Sequence, residues 1–440
     1  MNISLFNDSF PPEIDGVTNT VVNYAEILMK KGNKVNVIVP RYPGADDSAY
    51  PYPVVRYRSM DFRESIGYVA GYPFDPKIAD NLQLFKPDIL HTHCPLASTY
   101  LAGSLKSTFE TPLILTYHTK FDIDIANAIN GKLLQAGAVK LLVSNVELCD
   151  EVWVVSEGAG KNLKSLGYKG DYIVMKNGVD IPKGRMPKEQ YMVITAKRKL
   201  DLPNEIPTFL FVGRLMWYKG IKIILDALAG LKNAGINFRM VFIGQGLDEA
   251  EIKKYVCEKR LDDKVFFIGA VYDRSELCAW YCRSDLFLFP SNFDTSGLVV
   301  KEAAACSLPS VVIAESCAAE GVINGKNGFL IHEDAAGLAA LLTKLCMDYN
   351  SGMLKSIGEN AANELYTSWE DAVTTANKRY EIVLERYRSG DFRKAFHPRE
   401  ELFKLSGELM ALFADIKRTN RTIQSEIKSE IKSRNDDTRE

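Results

Sequence analysis

Short apolar runs recur along this chain, each followed by a longer stretch in which apolar positions return every three or four residues. The first run opens at Met1, and others fill residues 35–40, 88–91, 112–116 and 151–155. Runs that are apolar throughout predict strands buried on both faces. The helical stretches between them predict βα units and a parallel sheet. Residues 20–31 predict a helix that Gly32 ends. The rhythm pauses in the turn-rich residues 176–184 and resumes at 208–213, 240–244, 264–269, 285–290 and 310–313. Two doubly wound α/β domains of similar size follow, over residues 1–190 and 191–369. Such sheets bind ligands beyond the C-terminal ends of their strands, so a cleft between facing strand ends is expected.

Residues 389–440 differ. They are charge-rich and lack strand patterns, and Leu402, Leu405, Leu409, Leu412 and Ile416 follow a three-four spacing that Ile423 continues. This fits a short coiled coil, hence a homodimer through the tail. It fits equally an amphipathic helix folded back on the body. The 440 residues carry a net charge of −2, which gives no bulk argument for nucleic acid. No apolar run of roughly 18 residues is present, and the N-terminus lacks the pattern of a signal peptide. A cytoplasmic protein is expected, peripheral to a membrane at most. The eight cysteines form no paired CxxC framework and read as buried free thiols. Cys278 and Cys282, one helical turn apart, are expected to pack in a core, because no suitably spaced Cys or His pair accompanies them.

The densest candidate chemistry is Asp294-Thr295-Ser296-Gly297-Leu298-Val299-Val300-Lys301-Glu302. A helix is expected from Leu298 through Cys306, with Asp294 on the loop before it and Glu302 within it. Bare N–H groups and a positive helix end between two carboxylates suit a phosphorylated, hydroxyl-rich ligand. Arg214 and Lys219 follow a strand and precede a helix. A guanidinium fork and an ammonium point charge together suit a diphosphate, whereas two solvated surface charges would be the plain reading. Gly16 follows the first strand and permits close backbone approach, although an ordinary βα turn explains it as well. Gly244, in Gly244-Gln245-Gly246, fits turn chemistry or a ligand-facing loop. His118 ends an apolar strand, where a lone His is more often structural. His91 and His93 share one face at another strand end. No third and fourth ligands accompany them, so they read as structural or cleft-lining and no metal is expected.

In this order Gly16, His118, Arg214 with Lys219, Gly244-Gln245-Gly246 and the paired acids before Ala303-Ala304-Ala305 resemble the retaining glycosyltransferases of family 4, with GT-B architecture. The resemblance spans residues 1 to about 388. Ser368-Trp369-Glu370 and the helix over about 370–388 are similar to the segment that returns to the first domain in that family. The resemblance implies that Arg214 and Lys219 bind a nucleotide diphosphate and neutralise the leaving group. It implies that Glu302 accepts from ribose hydroxyls and Asp294 from the donor sugar. Backbone at Gly297 and Leu298 would meet sugar and diphosphate, Gly16 would admit the diphosphate, Gly244 would lie on the donor side, and His118 would position the sugar. The family carries Glu where this chain has Asp294, one methylene shorter. Thr295-Ser296-Gly297-Leu298, Ile14-Asp15-Gly16-Val17 and Tyr117-His118-Thr119 resemble bacterial enzymes that move glucose from a uridine nucleotide to diacylglycerol. Hexose transfer from UDP-glucose to that lipid is the implied activity, with same-face attack and the departing phosphate oxygen taking the acceptor proton. No metal or other cofactor is implied, because Arg214, Lys219 and a helix end can stand in for one.

A lipid acceptor needs a docking surface. Within residues 127–148, Leu133, Leu134, Ala138, Leu141, Leu142 and Val146 form an apolar helical face with Lys132 and Lys140 nearby. A core-packed helix fits the same pattern. A surface polysaccharide or other sugar is the alternative acceptor. A sugar-nucleotide epimerase of the same architecture is an alternative activity. A non-catalytic partner subunit is opposed by the intact Arg214, Lys219 and Glu302.

Overall fold

The computed structural model describes residues 1–13, 15–62, 68–73, 75–121, 125 and 131–392. The chain forms two compact units. One holds Met1–Val155, Ala159–Met175 and the residues from Val373 on, and the other holds Ser156–Gly158 and Lys176–Ala372.

The strands of the first unit are β1 (Asn2–Phe6), β2 (Lys34–Pro40), β3 (Val54–Tyr57), β4 (Ser59–Phe62), β5 (Tyr68–Gly71), β6 (Ile89–Thr92), β7 (Leu113–Tyr117), β8 (Glu151–Val154) and β9 (Ile173–Val174). Among the described residues seven of them form a parallel sheet in the order β3-β2-β1-β6-β7-β8-β9, while β4 and β5 pair antiparallel apart from it. β6, β7 and β8 are buried at every position, as strands covered on both faces must be. The first helix, Gly16–Lys30, starts before the expected Thr20 because Asp15 caps it. The Asp15 carboxylate accepts the Thr18 N–H at 2.7 Å. The helix Trp369–Ser389 enters this unit at Val373. Its Tyr380 stacks on Trp153 with ring centres 5.3 Å apart.

The second unit contains β10 (Thr208–Val212), β11 (Arg239–Ile243), β12 (Val265–Phe267), β13 (Leu286–Phe289), β14 (Ser310–Ile313) and β15 (Phe329–Ile331). They form a parallel sheet in the order β12-β11-β10-β13-β14-β15. Phe211 anchors its core, 5.5 Å from Phe242 and 5.9 Å from Phe289 between ring centres. In each sheet the chain order reverses beside the first strand, between β1 and β6 and between β10 and β13. These are the topological switch points, where loops diverge and leave room for a ligand.

The junction between the units falls at Met175 and Lys176, ahead of the boundary expected near residue 190. The turn-rich segment after it is already fastened to the second unit. Val179 bridges to Ser368, and the Gly184 N–H donates to the Ala305 carbonyl at 2.8 Å.

The loops after β10 and β11 are zipped together. Gly213 N–H donates to the Ile243 carbonyl at 3.0 Å, and Leu215 N–H to that of Gln245 at 3.0 Å. Gly244 has φ +136°, and a Cβ there would lie 1.9 Å from the Gly213 carbonyl oxygen. Gly244 is therefore required by backbone packing before any ligand is considered. Gly244→Ala is expected to cost about 3 kcal/mol or more, read as a lower urea midpoint. An unchanged midpoint would refute this close approach.

Candidate active site

The most concentrated group lies at the β10–β13 switch point. Lys219 ends the single turn Trp217–Lys219 after β10, and Asp294 lies on the loop after β13. The Lys219 ammonium is buried and donates to both Asp294 carboxylate oxygens, at 2.9 and 3.0 Å. It also lies 5.5 Å from the Tyr218 ring centre and 5.8 Å from that of Phe289. The exposed Arg214 guanidinium lies 5.9 Å from the same Tyr218 ring and has no hydrogen bond or ion pair among the described residues. Tyr218 thus holds two cations near one another without neutralising either. The expectation had given Lys219 to phosphate and Asp294 to sugar. The structure joins them in one ion pair, so an anion that binds Lys219 competes with Asp294.

Gly297 begins the helix Leu298–Ala305 in a left-handed conformation, φ +57°, and a Cβ there would lie 2.7 Å from the Ala318 Cα. No side chain caps this helix, so its first N–H groups, Leu298's among them, are available to an anion. Cys306 forms the helix's C-cap rather than its last residue. On the helix, Glu302 accepts the Tyr281 hydroxyl at 2.9 Å and meets Arg274 at 3.4 Å, while Arg274 also pairs with Asp180 at 3.0 Å. Burial raises the Glu302 pKa, with Arg274 and Tyr281 opposing. A carboxylate accepts about four hydrogen bonds, so Glu302 keeps capacity for ligand hydroxyls. Its neighbour Lys301 went unnoticed in the sequence. Burial, and then Lys176, bring that ammonium down to about 8.

In the first unit the β1–β6 switch point is filled from within. Buried Asp8 accepts the Ser98 N–H and hydroxyl, both at 2.9 Å. Gly16 has space around it, since a Cβ would meet nothing within 4 Å. The helix end it opens already holds the Asp15 carboxylate, which an arriving phosphate meets as like charge. The open chemistry lies one strand further on. His118, just past β7, places Nε2 3.0 Å from Nδ1 of His93, just past β6. Their rings stack with centres 5.2 Å apart. Burial lowers His118 to about 3 and takes His93 and His91 well below the usual range. His118 is therefore a neutral imidazole whose Nε2 is occupied, and Nδ1 is the atom left for a ligand. His93 was expected to be structural or cleft-lining. It orients His118, and its own Nε2 is buried without a partner among the described residues. His91 is structural, with Nδ1 on Tyr380 at 2.6 Å and Nε2 on Thr116 at 2.8 Å.

Three further expectations meet the structure here. Cys278 and Cys282 are accompanied by a third thiol. Cys306 joins them, the three sulfurs within 4.8 Å of one another. Spacing could not reveal it, because Cys306 comes from the end of another helix. The helix Lys132–Glu147 divides its apolar face. Leu141, Leu142 and Val146 are buried, while Leu133 is 87% and Leu134 48% exposed. Among the described residues no helix is long and apolar enough to cross a membrane. The heptad-like face from Leu402 to Ile423, and the homodimer drawn from it, lie outside the described residues.

Both units match known families. The model of Glycosyltransferase Family 4 matches residues 14–183, and that of Glycosyl transferases group 1 matches residues 193–364. The chain is 24% identical over 402 residues to the alpha-monoglucosyldiacylglycerol synthase of Acholeplasma laidlawii, covering 86% of this chain and 99% of that one. It is 24% identical over 314 residues to the synthase of the same name from Streptococcus pneumoniae, covering 71% and 70%. Its fold is similar to that of Anabaena HepE in complex with UDP-glucose, with a TM-score of 0.66, 18% identity, and 87% and 99% of the two chains covered.

The three buried histidines carry a pH signature. Their folded pKa values lie below about 6.5, so the unfolded chain takes up protons first as pH falls. Stability is fully present above that pH and declines toward the His118 value of about 3. The slope per histidine is at most about 1.4 kcal/mol per pH unit. Urea midpoints should drop between pH 6.5 and 5, and less steeply in His118→Gln. A flat profile across that window would contradict the neutral assignment.

Proposed function

The chain belongs to the family 4 glycosyltransferases of GT-B architecture and uses a nucleotide sugar, and on that premise we propose that it moves glucose from UDP-glucose to the free hydroxyl of diacylglycerol with retention at the anomeric carbon. The observation that carries this reading is the Lys219–Asp294 pair at the β10–β13 switch point. A diphosphate entering there takes the Lys219 ammonium and the free Arg214 guanidinium. The Leu298 N–H and its helix end meet the same charge. Asp294, released from its cation, then accepts hydroxyls of the sugar. Glu302, steadied by Tyr281 and Arg274, accepts the ribose hydroxyls.

As the sugar–phosphate bond breaks, negative charge grows on the departing phosphate, where both cations are already in place. That oxygen takes the acceptor proton while the acceptor attacks from the same face. Neutral His118 offers a hydrogen bond to the sugar through Nδ1 and positions it. No metal or other cofactor has a role in this scheme. Glucose is supported by the names of the two synthases, and glucose with uridine by the complex that HepE forms. A lipid acceptor is supported by those names and by Leu133 and Leu134, exposed beside Lys132 and Lys140. A peripheral position on the inner face of the cell membrane accords with both.

Lys219→Ala is expected to lower turnover at least a hundredfold, about 3 kcal/mol of barrier, and to weaken UDP binding. Wild-type turnover would remove the diphosphate role. Asp294→Glu should stay active with altered donor preference, whereas Asp294→Ala should lose transfer. Because the pair is largely desolvated, each single alanine change also strands a charge, and the double change should be less destabilising than the sum of the two. Donor screening by UDP release, with and without diacylglycerol, tests the substrate pair. Release stimulated by a polysaccharide and not by the lipid would redirect the reading to a sugar acceptor. Conversion of the donor sugar without any acceptor would identify an epimerase. Leu133→Glu with Leu134→Glu should abolish sedimentation with anionic vesicles yet preserve UDP binding. Undiminished sedimentation would disconnect this surface from the membrane.

A further inference from the structure

The second unit buries a group of thiols that the transfer reaction does not use. Cys278 and Cys282 lie one turn apart on the helix Arg274–Arg283, and Cys306 caps the helix Leu298–Ala305. All three are free and buried, Cys278 the least so at 9% exposure. Their sulfurs lie within 4.8 Å of one another, with Cys278 and Cys306 3.6 Å apart. Three thiolates bound at about 2.3 Å to one ion in a trigonal arrangement stand about 4 Å from each other. The spacing is therefore that of a ligand set, well beyond the ~2.05 Å of a disulfide.

The surroundings favour a thiolate. The Met186 N–H donates to the Cys282 sulfur at 3.2 Å. Arg185, immediately before it, donates to the Cys282 carbonyl, and to that of Ser307 at 3.3 Å. The Cys278 and Cys306 S–H groups, the Met186 N–H and the Arg185 charge together hold the Cys282 thiol well below its ordinary range. Hydrogen bonding within the group, and then burial, push Cys278 and Cys306 up. Among the described residues no fourth Cys, His, Asp or Glu joins them.

We propose that Cys278, Cys282 and Cys306 bind a soft divalent cation of the zinc or cadmium class as a three-thiolate site. Soft sulfur ligands select such ions over magnesium or calcium. A divalent ion and three thiolates carry one net negative charge, which the Arg185 guanidinium offsets. Binding displaces thiol protons, so affinity rises with pH. The ion would join the helix that carries Arg274 and Tyr281 to the end of the helix that carries Glu302. It would act on the packing behind the ribose-binding acid and take no part in the departure of the diphosphate.

The full-length protein, reduced and stripped with chelator, is titrated with Cd2+ while sulfur-to-metal charge-transfer absorbance is followed. Saturation at one ion per chain is expected, with displacement by Zn2+ and a higher melting temperature in the loaded protein. Cys282→Ser and Cys306→Ser should each lose this absorbance while still binding UDP, and Cys278→Ser serves if either fails to fold. Cys257→Ser, at an exposed thiol outside the group, should leave it intact. No absorbance in the parent protein, or undiminished absorbance in folded Cys282→Ser or Cys306→Ser, would overturn the proposal. The readout does not depend on sugar transfer, so it stands or falls apart from the assigned activity.

Discussion

The pairing of Lys219 with Asp294 is the interaction around which the second unit is arranged. Burying an ammonium is costly unless a counter-charge accompanies it. Here the counter-charge comes from a neighbouring strand's loop, at 2.9 and 3.0 Å. The underside of the cation rests on Phe289, which is in turn part of the Phe211 stack. A core of aromatic rings thus ends in a charged pair at the point where the sheet's loops part.

The two units solve their switch points in opposite ways. In the second, one cation is paired, the other, Arg214, has no ion pair among the described residues, and the helix after Gly297 has no side-chain cap. In the first, Asp8 and Ser98 satisfy each other, and Asp15 closes the next helix. Positive charge left open to an anion therefore lies in one unit, and the other offers neutral polar groups, His118 foremost. This division follows from which capping residues the two loops carry, since the sheets beneath them are built alike.

Much of the fold was legible because strands buried on both faces announce themselves as unbroken apolar runs. β14 spans the expected residues, and β10, β11 and β13 differ from expectation only at their ends. The short β9 and β15 escaped notice, since two or three residues make no pattern. Arg214, Lys219, Asp294, Gly297 and Glu302 could be singled out because strand-end position and residue type agree. Their mutual pairing could not, because Lys219 and Asp294 are 75 residues apart in the chain. The roles of His93, Lys301 and Cys306 escaped for a related reason. The property that matters in each is a neighbour or a depth, and neither is written locally. His93 might have been suspected from β6 lying beside β7, had the strand order been known.

Gly297 imposes a limit on how this site can change. Its left-handed backbone and the wall formed by Ala318 exclude any side chain. The helix that follows can therefore never acquire a capping residue of its own at that position, whatever else in the loop is replaced. Its positive end stays open whatever residues surround it. Change is left to the residues just before it, Asp294 among them. The charge at this helix end is set by backbone geometry, and side-chain choice varies only beside it.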